Sequence, residues 1–256
     1  MIQIDKTEVF GWESTIRGMR NPMNSWDKSD SYATTYPEMP RLDYSGNPVD
    51  IVPEQTIYVS KTNNIDNFVI GDNDLKLMKS LSKAGPDHGK FLRMINVTCD
   101  INAPLYWWKE FDTYKVGTVA NSCSTMHKIH AKEFTLDDFS HEHLMTAHTD
   151  SFPLTGIYNG IVTSPLGMMQ NVVTVLNECR DQFLKTKNKE YWWQMIQLLP
   201  SSYNQKRTVQ FNYQVLKNMY NARKSHKLDE WKNFCAWCET LPYFNEICLG
   251  GDSNEK

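Results

Sequence analysis

The sequence predicts an α+β protein with several long helices. Between Phe91 and Ile101, FLRMINVTCDI places Ile95, Val97, Cys99 and Ile101 on one side, the period-two alternation of a half-buried strand in a mixed sheet. From Ser164-Pro165 onward, Met168, Val172, Val175, Leu176 and Cys179 recur at helical spacing over a long run. No internal repeat, coiled-coil heptad or low-complexity segment interrupts this mixture.

Taken in order, MIQIDKTEVF reads as a first strand. Residues 10–70 then read as a loop-rich N-terminal elaboration of short strands, because Pro22, Pro37, Pro40, Pro48 and Pro53 stand among many Asp, Asn and Ser. Within it, residues 16–31 gather Arg17, Arg20, Asn21, Asn24, Ser25 and Lys28 around Trp26, either a solvated loop or a set of anion contacts. Asp74 is placed to cap a helix carrying Leu75, Leu77, Met78 and Leu81, which Gly85-Pro86 stops. His88 falls in a loop just before the alternating strand, and Pro104 suits the first turn of the next helix. A helix is expected from Thr135 through Leu144, with Thr135 as cap and Asp137 and Asp138 complementing the dipole. Between Leu199 and Arg223, Val209, Phe211, Val215, Leu216 and Met219 recur every three to four residues, which predicts one helix carrying Asn212, Asn218 and Arg223. A last helix begins near Leu228 and ends before Leu241-Pro242.

Composition narrows the function classes. A chain of 256 residues, 40% hydrophobic and 12% aromatic, can bury a sizeable core, and residues 1–256 are expected to form one domain. A net charge of −3 gives no reason to invoke a nucleic-acid polymer as partner. Six cysteines without an apolar leader point to a reducing cytoplasm, and no run reaches the length of a membrane span.

Rival constellations are weaker. His127, His130, His141, His143 and His148 crowd near Asp150, but their spacing matches no recognised metal motif, so surface histidines are expected and no metal. Cys235 and Cys238 have CxxC spacing without a second pair, and are expected to pack with Trp231 and Phe234. Trp107 and Trp108 are expected in the core or an interface. No nucleophile elbow, P-loop or Gly-rich dinucleotide fingerprint is present.

The segment LPSSYNQKRTVQFNYQVLKNMYNAR, residues 199–223, resembles the flavin-dependent thymidylate synthases, in which a Leu-Pro leads to Asn, a second Asn and Arg at this spacing. A second ungapped block, residues 88–126, is similar to that family's His-led strand and following helix, with His88, Thr98, Ala103 and Pro104 at matching places. The family's signature of Arg-His-Arg, two residues, Ser, one residue, Asn-Glu, one residue, Ser, one residue and Arg-Tyr is replaced here by TYKVGTVANSCSTM. Lys115 alone keeps a positive charge, Thr118 keeps a hydroxyl, and Asn121 stands at the acidic position. Each charge-assisted bond to a phosphate lost this way costs roughly 1.5–3 kcal/mol.

The resemblance implies a mixed central β-sheet flanked by long helices, a homotetramer with composite sites, and FAD bound without a Rossmann turn. It also implies reductive methylation of a deoxyuridine nucleotide, with methylenetetrahydrofolate and NADPH as co-substrates. On it, His88, Lys115, Asn212 and Asn218 hold FAD, Arg223 orients the pyrimidine and Thr118 touches the nucleotide, while Lys115 stabilises the reduced ring. Arg17 and Arg20 would replace the missing phosphate contacts. His226 matches a family His with one residue deleted. The altered signature leaves two alternatives open: an enzyme acting on another pyrimidine nucleotide, and a non-catalytic nucleotide-binding or structural relative.

Overall fold

The structure is a computed structural model and describes residues 1–33, 41–42, 48–49, 68–146, 156–158 and 161–250. A four-stranded sheet runs in the order β1 (Gln3–Phe10), β6 (Asn96–Pro104), β10 (Asn204–Asn212) and β7 (Val119–Ser122). Three two-stranded ribbons accompany it: β2 (Tyr32–Ala33) with β5 (Phe68–Val69), β3 (Arg41–Leu42) with β4 (Pro48–Val49), and β8 (Gly156–Tyr158) with β9 (Ile161–Thr163), all antiparallel. The helices are α1 (Trp12–Arg20), α2 (Asp72–Lys83), α3 (Leu105–Phe111), α4 (Thr125–Lys128), α5 (Pro165–Thr186), α6 (Lys189–Leu198), α7 (Tyr213–Arg223) and α8 (Asp229–Glu239). No described helix is long and apolar enough to cross a membrane.

Contacts divide the chain into two units. The first holds residues 1–3, 101–114 and 120–208. Its α5–α6 hairpin turns through Lys187, left-handed at φ 58°, and Asn188, whose side chain caps α6 by accepting from Glu190 N–H. Leu176 and Met195 from the two helices close on Ile129, Phe134 and Phe139. Burying a side chain such as Leu176 completely is worth roughly 1.5–3 kcal/mol. Ser164 caps α5, as its Ser-Pro start predicts, but α6 had no sequence expectation.

The second unit holds residues 4–100, 115–119 and 209–256. Trp12, Ile16 and Met19 form the buried stripe of α1, so the segment expected to be loop is helical up to Arg20. The first proline arrives only at Pro22, where α1 gives way to a 3-10 turn, Asn21–Met23. Arg20 is 4% exposed and its Nε donates to Asp74 Oδ1 at 2.6 Å. Asp74 is fully buried inside the first turn of α2 and accepts further bonds from Ser29 and Ser31; the cap of α2 is Gly71, correcting the expected Asp74 cap.

Four further expectations are corrected. Residues 199–223 are not one helix: β10 runs to Asn212 and α7 begins at Tyr213, because Val209 and Phe211 bury with period two and the Asn212 side chain caps α7. The helix after Pro104 stops at Phe111, so TYKVGTVANSCSTM forms a turn, strand β7 and the short α4. Pro104 itself ends β6 in an extended conformation and α3 starts one residue later. The expected helix from Thr135 is only the 3-10 turn Leu136–Asp138, closed by a Thr135–Asp138 capping box. The strand at Gln3–Phe10, the end of α2 before Gly85, and α8 agree with the sequence reading, whereas the strand expected from Phe91 begins only at Asn96 because Gly89–Arg93 form a 3-10 turn; Trp107, Trp108, Cys235 and Cys238 are buried. Pro37, Pro40, Pro53, His148 and Asp150 lie outside the described residues.

Burial raises the Asp74 pKa, but bonds from Ser29, Ser31 and Arg20 and the Arg20 charge outweigh it and hold the carboxyl below its ordinary 3.8. A depressed folded pKa means that the stabilisation is complete above about pH 5 and lost as pH falls through the folded value. Asp74→Ala, which strands a buried guanidinium, should cost about 3–5 kcal/mol in urea unfolding at pH 7, and a wild-type-like midpoint would remove the pair from the stability account. Burial likewise pushes the Cys235 thiol up to about 11 and Cys248 to about 12, whereas Cys123 is exposed. A thiol reagent at pH 8 should therefore label Cys123 quickly and Cys99, Cys235, Cys238 and Cys248 only after denaturation.

Candidate ligand-binding site around helix α7

Every residue the sequence nominates for ligand binding falls in the second unit. Helix α7 organises most of them. At its N-terminus Asn212 leaves β10 with extended dihedrals, and its Oδ1 accepts from Val215 N–H at 3.1 Å. Tyr213 N–H donates to Ile95 O at 3.0 Å, so the first residue of the helix is pinned beside the start of β6. Tyr213 is itself fully buried, edge-on to Trp12 and Phe244.

The turn from Lys115 to Thr118 packs directly on this junction. Gly117 adopts φ +81°, and a Cβ there would stand 2.9 Å from Val215 Cγ2 and 3.4 Å from Asn212 Nδ2. Only glycine satisfies both the left-handed backbone and the close approach. Lys115 is exposed, and Thr118 is half-buried with its N–H donating to Lys115 O at 3.4 Å. Packing thus brings Lys115 and Thr118 to the same end of α7 as Asn212.

Further along, Asn218 is exposed and accepts from Gln214 Nε2 at 3.0 Å. Arg223 is the last residue of α7, where a cation complements the helix dipole. Its guanidinium carbon lies 4.8 Å from the centroid of the Trp231 ring. Asn212 immediately precedes the helix, so about 16 Å along the helix axis separates it from Arg223. His88 is exposed and precedes the 3-10 turn Gly89–Arg93, which packs against α7. Lys217, which the sequence did not single out, donates from Nζ to Ser82 Oγ at 2.8 Å and to Ser82 O at 3.3 Å, tying α7 to the last turn of α2.

The two N-terminal arginines differ from one another. Arg20 is committed to Asp74 and, through Nη1, to Ser25 O. Arg17 is exposed and 3.6 Å from Glu13. Both line a cavity of about 420 Å³ together with Ile16, Trp26, Tyr32 and Phe68, and no residue of α7 lines it. The Trp26 indole N–H donates to Asn21 Oδ1 at 2.8 Å, which orients the ring at its mouth. Among the described residues no group of three or more His, Cys, Asp and Glu is arranged to hold a metal.

With the sheet, the α7 junction and the flanking helices in place, the chain has the α+β fold of the flavin-dependent thymidylate synthases. No family model and no curated protein matches the sequence. Among solved structures it is similar to thymidylate synthase X from Helicobacter pylori with FAD and dUMP, at 12% identity, 98% coverage of each chain and a TM-score of 0.60. It is also similar to the UMP/dUMP methylase PolB from Streptomyces cacaoi bound with 5-Br dUMP, at 13% identity, with 98% of this chain and 94% of that one covered and a TM-score of 0.57.

The Gly117 contact is directly testable. Gly117→Ala should lower stability by at least about 1 kcal/mol through the left-handed backbone, and Asn212→Ala by about 1 kcal/mol through loss of the cap. The two changes meet at one junction, so the double variant should lose less than the sum in thermal unfolding; strict additivity would separate the turn from the cap.

Proposed function

We propose that this chain is a flavin-dependent enzyme that transfers a one-carbon unit reductively to the pyrimidine of a deoxyuridine nucleotide. The observation that carries the reading is α7, with an exposed amide at Asn218, the Arg223 guanidinium carbon 4.8 Å from the Trp231 ring centroid, and the Lys115–Thr118 turn packed beside Asn212 and Val215. The donor set fits FAD. An exposed ammonium at Lys115, an exposed imidazole at His88 and an exposed carboxamide at Asn218 are donors for diphosphate and ring carbonyl oxygens. Bound FAD, once reduced, would supply the hydride, with methylenetetrahydrofolate and NADPH as carbon and electron sources.

The protein's own part is positioning and charge. Lys115 would hold FAD oxygens and stabilise negative charge on the ring, Asn212 would act mainly by keeping the helix start in place, and Arg223 would meet the base carbonyl edge. Thr118 would reach the nucleotide. Arg17 is the N-terminal arginine exposed to an anion, whereas Arg20 would contribute through the wall it holds. One domain over residues 1–256, a homotetramer with composite sites, and a cytoplasmic setting that suits six unpaired cysteines belong to the same proposal.

A second reading has its own support. The 114–126 segment retains few cations, and the PolB neighbour is a UMP/dUMP methylase, so a different pyrimidine nucleotide could be the substrate. Titration of the purified chain with FAD, followed by its visible spectrum, decides the first point. Flavin should bind to wild type and Arg223→Ala, and roughly tenfold more weakly to Asn218→Ala, the size of one hydrogen bond to a charged ligand. Arg223→Ala should lose deoxyuridylate. Asn218 is the better probe than Asn212, whose truncation also removes the helix cap. Absence of flavin binding under all conditions would sink the enzyme reading and leave a non-catalytic relative.

A further inference from the structure

The cavity of about 420 Å³ beside α1 gathers groups that the α7 residues do not use. Arg20 lines it with a side chain that is only 5% exposed. Its Nε donates to Asp74 Oδ1 and its Nη1 to Ser25 O, which takes two of the five N–H donors that a guanidinium carries. Among the described residues nothing accepts from Nη2. Ser29 and Ser31 line the same space, but both hydroxyls donate inward to Asp74 Oδ2. The deep side of the cavity therefore offers guanidinium N–H groups, and donors held at so buried a place call for an oxygen acceptor.

The remaining lining is aromatic and half open. Trp26 is 50% exposed and Tyr32 is 57% exposed, with Ile16 and Phe68 adding apolar surface. The Trp26 N–H is already spent on Asn21 Oδ1, so the ring has only its faces and carbon edges to offer. Arg17 adds an exposed cation, and its 3.6 Å contact with Glu13 joins two exposed side chains, an arrangement that holds neither firmly. The volume falls within the roughly 300–1,000 Å³ of small-ligand pockets, and an apolar lining with a few polar groups is their usual composition.

We infer that this cavity binds a planar heteroaromatic ring carrying a carbonyl oxygen and an anionic group, as a site separate from the one proposed around α7. The ring lies against Trp26 and Tyr32, its carbonyl accepts from Arg20 Nη2, and its anionic group pairs with Arg17. A ring amino group in place of the carbonyl would set donor against donor at Arg20. Two classes of compound carry the required chemistry, a folate with its carboxylates and a pyrimidine nucleotide with its phosphate. The inference goes beyond the flavin-dependent reading and does not require it.

The test titrates the full chain, with FAD added, calorimetrically with folic acid and with deoxyuridine monophosphate. At least one of the two should bind wild type, bind Trp26→Ala and Arg17→Gln about tenfold more weakly, and bind Trp26→Phe within about threefold of wild type. Glu13→Gln, which removes the acid beside Arg17, should tighten the same binding about twofold. Asn218→Ala and Arg223→Ala should leave it unchanged. This pattern with folic acid identifies a carboxylate ligand and with deoxyuridylate a phosphate ligand, and either supports the inference. Equal binding by wild type and Trp26→Ala, binding that disappears in Arg223→Ala, or no binding of either compound overturns it. Should Trp26→Ala not fold by its urea midpoint, the opposite shifts of Arg17→Gln and Glu13→Gln carry the test, and equal affinity in those two variants overturns the inference. Flavin binding and the Arg223 dependence of deoxyuridylate decide the functional reading separately, so each can fail alone.

Discussion

The chain must stop being a strand and become a helix at Asn212, and the hydrogen bond from Val215 N–H to the Asn212 side chain is what permits it. One residue earlier, Phe211 is a buried strand position; one residue later, Tyr213 is a fully buried helix position with its N–H on Ile95 O. No slack exists on either side. Shifting the junction by a residue would turn the β10 pattern of Val209 and Phe211 to the opposite face and swing Leu216 and Met219 out of the core. The directions of Asn218 and Arg223 are consequences of that fixed start. The Lys115–Thr118 turn inherits it too, since a Cβ at Gly117 would meet the capping side chain and Val215 together.

A second constraint governs the N-terminal part of the same unit. Two charges without solvent access would be costly if alone, yet Asp74 gathers Arg20, the hydroxyls of Ser29 and Ser31 and the Ser31 amide, so its lone pairs are well used. These bonds join α1, α2 and the chain between Ser29 and Ser31, segments distant in sequence. The polar cluster that read as a loop around Trp26 is therefore partly internal. Position along α1 separates the two arginines: Ile16, Met19 and Arg20 share the buried stripe, and Arg17 falls outside it.

The parts of the fold that were legible in sequence are those where a single periodicity ran uninterrupted. Val97, Cys99 and Ile101 alternate through all of β6, and Ser164-Pro165 announces α5 with a cap and a proline at its first position. Errors arose where one window spanned two elements. TVQFNYQVL contains a strand's last residues and a helix's first turn, and the mixture of spacings two, four and one imitates a helical period. Residues 115–123 lack any strong apolar pattern, and β7 is exposed along its whole length, so only its pairing beside β10 defines it as a strand. The pairing of Arg223 with Trp231 had no signal at all. It depends on how α8 folds back on α7, and neither residue announces that contact from its own sequence neighbourhood.

On the proposed function, the altered signature and the Arg223–Trp231 contact bear on one question, which end of a nucleotide would be read. Phosphate recognition depends on cations that can change partner, and here Arg20 is committed inside the protein and Lys217 is spent on Ser82. Recognition of a ring would depend instead on planar groups, of which the proposed reading uses Arg223, its guanidinium carbon 4.8 Å from the centroid of the buried Trp231 ring. Long-range attraction falls off within a Debye length, roughly 8 Å at physiological salt, whereas a coplanar hydrogen-bonded edge is insensitive to it. On the proposed reading, selectivity therefore sits with the base more than with its phosphate. That division of labour reconciles a nearly charge-free 114–126 segment with an ordered arginine at the far end of α7.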